Sequence, residues 1–254
     1  MHDGPDPAVP LAASNPRVKA ARKLKRARNR DQTLIEGPHL LAEAAAVGAR
    51  IIQVFASPAD PTAAELARRA GARFDYVDDR VLAGLSDTVN PRGPVAVIRI
   101  PAPRPVRRDL LWVMVSDPGN GGTLIRTAAA FGQDVVFHPR AVDPWSPKVL
   151  RAAAGGHFRT NVVVGEPPAG WGVIALTPRG GIPPEELGQR LDPHRRWALA
   201  IGWEAEGLDP GLVELADLTV SIPMPGGVES LNAAVAGAIT GYWLSRWRGR
   251  TLGG

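Results

Sequence analysis

Ser221-Ile222-Pro223-Met224-Pro225-Gly226-Gly227-Val228-Glu229-Ser230-Leu231-Asn232 is the stretch that decides how this chain folds. The apolar residues Leu218–Ile222 predict a short buried strand leading into it, and the small, apolar run Ala233–Trp247 predicts a helix leading out. Between them two prolines fix the backbone and two glycines free it. A bend of this composition, opening a helix through Ser230-x-Asn232, suits close approach of main chain to a ligand. Every α/β protein needs strand-to-helix turns, so alone the bend reads equally well as a ligand loop or a plain connection.

Two earlier stretches have the same character. Asp117-Pro118-Gly119-Asn120-Gly121-Gly122-Thr123-Leu124-Ile125-Arg126-Thr127 follows the predicted strand Leu111–Val115. Its glycines allow a close turn, and Asn120 is placed to open the helix that carries Arg126. The glycine order makes neither a dinucleotide fingerprint nor a phosphate loop. Ala200-Ile201-Gly202-Trp203-Glu204-Ala205-Glu206-Gly207-Leu208 ends a strand on a Gly-x-Glu-x-x-Gly pattern. That puts the Glu204 carboxylate at a strand's carboxyl edge, where open α/β sheets bind ligands, although a lone glutamate there is more often a surface charge or a helix cap. Trp203 reads first as a core or rim tryptophan, with base stacking as the alternative.

With 254 residues the chain has room for one large domain or two modest ones. No cysteine is present, which excludes disulfides, thiolate metal sites and cysteine nucleophiles. No Gly-x-Ser-x-Gly elbow supports a hydrolase, and the five histidines never pair at metal-ligand spacing, so no metal is expected. The longest apolar run, Leu231–Leu244, is too short to cross a bilayer, and Met1–Ala13 lacks the basic-then-apolar order of a signal peptide. No membrane partner is expected, and the expected location is cytoplasmic.

Charge is concentrated. Asn15–Arg30 carries Arg17, Lys19, Arg22, Lys23, Lys25, Arg26, Arg28 and Arg30 without one acid, whereas the remainder is net negative. The run reads either as a solvated helix face or, since solubility needs fewer uncompensated cations, as a surface for a polyanion such as nucleic acid. Val18, Ala21 and Leu24 give this segment a narrow apolar edge at helical spacing.

The pattern predicts an α/β chain in four parts. Residues 1–13 form a disordered leader, 14–100 a small α/β unit, 101–109 a proline- and arginine-rich linker, and 110–254 a larger unit of apolar strands alternating with helices. Strands of this kind predict a mostly parallel sheet covered on both faces.

Taken together, the three motifs resemble, in order, those of the SpoU (TrmH) family of S-adenosylmethionine-dependent RNA ribose 2′-O-methyltransferases. Val142-Asp143 with Pro147-Lys148-Val149 and Arg151 is similar to the family's connection after the first motif. Asn15–Lys19 with Ile35-Glu36-Gly37 is similar to its RNA-binding N-terminal domain. The one departure is Gly121, where a bulkier apolar residue is usual and glycine is expected to loosen the turn.

The resemblance implies a deep trefoil knot built from segments near Thr177, Gly202–Gly207 and Ser221–Asn232. It implies S-adenosylmethionine held by Thr177, Gly202, Ile222, Met224 and Leu231, and a catalytic set of Arg126, Asn120, Glu204, Ser230 and Asn232. RNA contacts are expected from Arg17, Lys19, Arg22, Lys23, Lys25 and Arg26, and the family is a homodimer. The implied reaction is methylation of a ribose 2′-hydroxyl, first in ribosomal RNA, with transfer RNA or a catalytically silent RNA-binding role as alternatives. Arg126 matches a proposed base, but a guanidinium stays protonated in proteins, which favours an electrostatic role.

Overall fold

The computed structural model describes residues 10–25, 31–58, 60–86 and 93–252. Contacts divide the chain into two units, Met1–Ala102 with Trp145–Phe158, and Pro103–Pro144 with Arg159–Gly254.

The first unit begins within the expected leader. Leu11 donates its amide to the Tyr76 carbonyl at 2.8 Å and packs against buried apolar residues, so residues 10–13 are not the disordered tail expected; residues 1–9 lie outside the described residues. Helix α1 (Pro16–Leu24) is capped by the Asn15 side chain and buries Val18 and Ala21, as their spacing predicts. Strand β1 (Gln32–Glu36) is not evident in the sequence; helix α2 (Pro38–Ala46), β2 (Ile51–Ala56), α3 (Pro61–Arg69), β3 (Arg73–Tyr76), α4 (Asp79–Leu85) and β4 (Val95–Arg99) follow. The sheet order is β1-β4-β2-β3, with only the β2/β3 pair parallel. Alternation sends Leu34, Phe55, Val95 and Val97 to the face under α1 and α4, and Ile35, Val54, Ala96 and Ile98 to the opposite one.

Part of the basic run is structural. Arg17 donates to the buried Asp75 at 2.6 Å, and Gln53 adds a second donor at 2.8 Å. The Lys25 ammonium reaches the Ser86 carbonyl, and the half-buried Arg22 guanidinium fills the space beside Gly84. Lys19 and Lys23 are exposed, while Arg26 lies outside the described residues.

The second unit runs β5 (Leu110–Val113), α5 (Pro118–Phe131) and β6 (Asp134–Phe137). Next comes α6 (Pro147–Ala153), which a linear boundary at 101–109 assigns to this unit. Its Leu150, with Trp145 and Phe158, instead joins the apolar core of the first unit, where Thr33 Oγ1 also donates to the Trp145 carbonyl at 2.7 Å. Strands β7 (Val162–Val164) and β8 (Gly172–Leu176) follow. A 3-10 turn (Pro184–Glu186) runs into the single turn α7 (Leu187–Arg190). The chain then forms β9 (Trp197–Ile201), the unforeseen α8 (Pro210–Leu215), β10 (Leu218–Val220) and α9 (Ala233–Leu252).

All six strands of this unit are parallel, in the order β10-β8-β9-β5-β6-β7. From the central β5 the chain steps out through β6 to β7, then returns to the other side. Such a reversal leaves a crevice beyond the carboxyl ends of the strands. Helix α9 closes one face, helped by its small-residue stripe. A Cβ at Gly237 would stand 2.7 Å from both Ile201 Cδ1 and Leu124 Cδ2, and the Gly241 carbonyl accepts from Gln133 Nε2 at 2.9 Å. The stripe therefore meets the chain's own α5 and β9.

The far end of α9 is clamped. Arg248 makes a two-pronged pair with Asp109 at 2.7 and 2.8 Å and donates to the carbonyls of Pro193 and Arg195. Asp109 is 5% exposed and also accepts the Trp197 amide, tying α9 to the starts of β5 and β9. Replacing Arg248 with alanine leaves that carboxylate buried without its cation, an expected cost of about 3–5 kcal/mol. Urea unfolding should show it as a lower midpoint at an unchanged slope.

Candidate active site

The first motif folds differently in one detail from its sequence reading. Asp117, not Asn120, caps α5: its Oδ1 accepts the Asn120 amide at 2.8 Å, with Pro118 at the first helical position. Asn120 is thus buried inside the first turn, and its side chain is released for other contacts. Asn120 Nδ2 donates to Glu204 Oε1 at 2.9 Å, and Asn120 Oδ1 accepts from Asn232 Nδ2 at 2.9 Å. Asn232 Oδ1 in turn accepts the Ala234 and Val235 amides at 2.9 and 3.2 Å, capping α9 as Ser230-x-Asn232 predicts.

Glu204 collects more donors from the loop after β5. Its Oε2 accepts from the Ser116 amide at 3.1 Å and the Ser116 hydroxyl at 2.8 Å, and its Oε1 from the Asp117 amide at 3.0 Å. Desolvation opposes ionisation here, but the hydrogen bonds from Asn120 and from the Ser116 and Asp117 amides outweigh it and hold the carboxyl down at about 2. A fixed anion follows.

Beside this junction lies a cavity of about 520 Å³, within the range of small-molecule sites. All five residues expected at a methyl donor line it: Thr177, Gly202, Ile222, Met224 and Leu231. Glu204, Ser230 and Asn232 line it too. The wall at Gly202 is main chain against main chain, since a Cβ there would stand 2.5 Å from the Leu208 nitrogen, and Trp203 and Gly207 exchange two backbone hydrogen bonds of 2.9 Å. Thr177 and Pro178, also in the cavity wall, begin a segment, residues 177–182, that passes around the end of β10. The Thr177 amide donates to Val220 O on one edge, while on the other Ile182 bridges Val220, donating to Thr219 O and accepting from the Ser221 amide. A Cβ at Gly181 would stand 2.6 Å from Thr219 O, and Ser221 Oγ links Thr177 Oγ1 to the Gly181 amide.

Gly121 does not loosen its turn. A Cβ there would come 2.9 Å from Val142 Cγ1 and 3.4 Å from Phe137 Cε1, so glycine lets α5 start tightly against the end of β6. Asn120, Glu204 and Asn232 are joined by hydrogen bonds; Arg126 and Ser230 are not part of that chain. Arg126 is exposed on α5 without a hydrogen bond or ion pair to any described residue, and Ser230 is exposed at the cavity wall. Sequence reasoning missed Ser116 and Asp117 as supports of Glu204. Asp117-Pro118 carries a helix-start signal that identifies the cap; Ser116 has no such signal. Among the described residues no group of three or more His, Asp or Glu side chains could hold a metal ion.

Because the folded value for Glu204 is depressed, its stabilising contribution is full above the ordinary 4.5 and is lost as pH falls toward about 2. Glu204→Gln would replace one of the two accepting oxygens with an N–H₂ and set it against the two donors that oxygen now serves. The variant should unfold more easily than wild type above pH 4.5, with the difference shrinking as pH approaches about 2. Urea titrations of both proteins across that range provide the comparison.

The same architecture occurs in known proteins. The SpoU rRNA Methylase family model matches residues 109–242, and the MRM3-like substrate binding domain matches residues 15–96. A 23S rRNA (guanosine(2553)-2′-O)-methyltransferase of Bacillus subtilis is 34% identical, across 92% of this chain and 97% of its own. The SpoU methyltransferase AviRb from Streptomyces viridochromogenes, solved with AdoMet, superposes with a TM-score of 0.79 at 27% identity, covering 92% of this chain and 98% of that one. An AdoMet-bound rRNA methyltransferase from Sinorhizobium meliloti superposes at 0.77 and 26% identity, covering 94% and 97%. With its three motifs meeting at one sheet edge and the family model spanning more than half its length, the chain belongs to the SpoU rRNA methylase family.

Proposed function

We propose that this protein methylates a ribose 2′-hydroxyl in ribosomal RNA, drawing the methyl group from S-adenosylmethionine. The observation that carries this reading is the cavity bordered by Glu204, Ser230 and Asn232, with all five expected donor-binding residues in its wall. Its volume, its glycine-lined main-chain wall at Gly202 and the apolar Ile222, Met224 and Leu231 fit an adenosine with a short charged tail. Bound there, S-adenosylmethionine would supply a sulfonium methyl group. Its expected ligands are the backbone of Gly202, Ile222 and Leu231, with Met224 and Thr177 beside them.

The rest is work for this chain's own residues. A ribose hydroxyl is a poor nucleophile at neutral pH, so the developing negative charge on oxygen needs a fixed positive partner. Arg126 is assigned that role, because its charge is permanent and no ion pair among the described residues competes for it. Asn120, Glu204 and Asn232 tie the start of α5, the helix that carries Arg126, to two loops that border the cavity. Arg126→Lys keeps the charge but loses the planar fork. The expected result is a roughly hundredfold to thousandfold fall in rate with calorimetric affinity for S-adenosylmethionine nearly unchanged. Equal loss of both would remove the assignment.

The trefoil knot belongs to the same proposal, supported by the passage of residues 177–182 around β10. So does the homodimer. Val235, Ile239 and Tyr242 lie 46%, 37% and 42% exposed along the outer side of α9, opposite the stripe buried on α5. An aspartate at Ile239 should convert the dimer to a monomer in sedimentation and abolish methylation. The exposed Lys19 and Lys23 support RNA contact by the first unit, in the cytoplasm where the substrate is expected. Incubation with labelled S-adenosylmethionine and total RNA, followed by mapping of reverse-transcription stops, tests the whole reading. Label in 23S or 16S RNA supports it; label in transfer RNA alone redirects it; no label overturns it.

A further inference from the structure

We propose that Trp203, with Arg140 and His138, forms a stacking subsite for an unpaired RNA base next to the target ribose; this rests on the function proposed above. Trp203 lines the cavity itself, between Gly202 in the same wall and Glu204 at the junction of the three motifs. Its backbone is pinned by both hydrogen bonds to Gly207, so the indole is mounted on a rigid turn. His138, at the end of β6, reaches it across the end of β5: the rings stand 6.2 Å apart at 83°, an edge-to-face contact. His138 Nδ1 also accepts the Arg140 amide at 3.2 Å, closing the turn that carries Arg140 outward, while His138 Nε2 lies 3.5 Å from Glu166.

The Arg140 guanidinium stands 5.9 Å from the indole centroid, at the outer limit of a cation–π contact. It is exposed and makes no hydrogen bond or ion pair with any described residue. A plain rim tryptophan, half-buried against the apolar cluster of β5, β6 and β9, accounts for the lower part of the indole. It does not account for an unneutralised cation above the indole. A base held between the two needs two van der Waals spacings, about 7 Å, so a swing of roughly 1 Å by an exposed arginine opens the slot. A rigid aromatic face beside a free cation is the combination that holds single-stranded nucleic acid with little sequence preference.

The test uses the full-length protein and short oligoadenylate as probe. Arg140→Gln, remote from the cavity wall, should weaken oligoadenylate binding about five- to a hundredfold with calorimetric affinity for S-adenosylmethionine unchanged, and Trp203→Leu should weaken oligoadenylate binding by about the same factor. Trp203→Tyr, which keeps a π face, should restore most of the RNA affinity at the same melting temperature as Trp203→Leu. Photo-crosslinking of an iodouridine-substituted oligonucleotide should label the peptide containing Trp203. Unchanged RNA affinity in both variants, or no rescue by tyrosine, overturns the subsite. If wild type binds oligoadenylate in this way but takes no S-adenosylmethionine, the subsite stands and the proposed reaction falls.

Discussion

A carboxylate can only accept hydrogen bonds, and that one-sidedness orders the active edge of the second unit. Because Glu204 is ionised, Asn120 must turn its amide nitrogen toward it, which aims the Asn120 oxygen at Asn232. Asn232 must then donate to Asn120 and offer its own oxygen to the first amides of α9. A single direction of donation thus runs from the third motif, through the first, into the second. Every side-chain orientation along it is set by the anion at one end and the helix amides at the other. The Ser116 and Asp117 amides bring the loop after β5 into the same arrangement.

The remaining architecture keeps that chain in place. Main-chain contacts at Gly202 and Gly181 bring the loops closer than side chains would allow, and the passage of residues 177–182 around β10 leaves the cavity wall little freedom. Helix α9 is fixed at both ends, by Asn232 at its start and by the Arg248–Asp109 pair near its other end. Between them Gly237 and Gly241 let it lie against α5 and β9. The helix therefore presents its inner side to the chain and its outer side, with Val235, Ile239 and Tyr242, to solvent.

The first unit qualifies a reading based on charge alone. A run of cations without a local acid looked wholly available to a polyanion, yet Arg17 answers the buried Asp75 and Lys25 answers the Ser86 carbonyl. Both partners lie far along the chain, so local charge counting could not include them. Similarly, α6 follows the first catalytic motif in sequence but buries Leu150 in the first unit's core. Sequence adjacency and packing adjacency diverge there.

Much of the fold was legible from residue order. Buried parallel strands read as apolar runs, helices announced themselves through Pro, Asp, Asn and Gly at their ends, and the three motifs resembled one family in the right order. Local physics governs those features, because period, cap and turn chemistry act over a few residues. Tertiary structure alone decided that Gly121 tightens its turn against Val142 and that β1 and α8 are regular elements. It also decided which cations are paired and that Asn120, Glu204 and Asn232 are hydrogen-bonded in sequence. Those outcomes depend on partners tens of residues away, brought within 3 Å only by sheet order and the crossing of loops, and no local pattern encodes such a meeting.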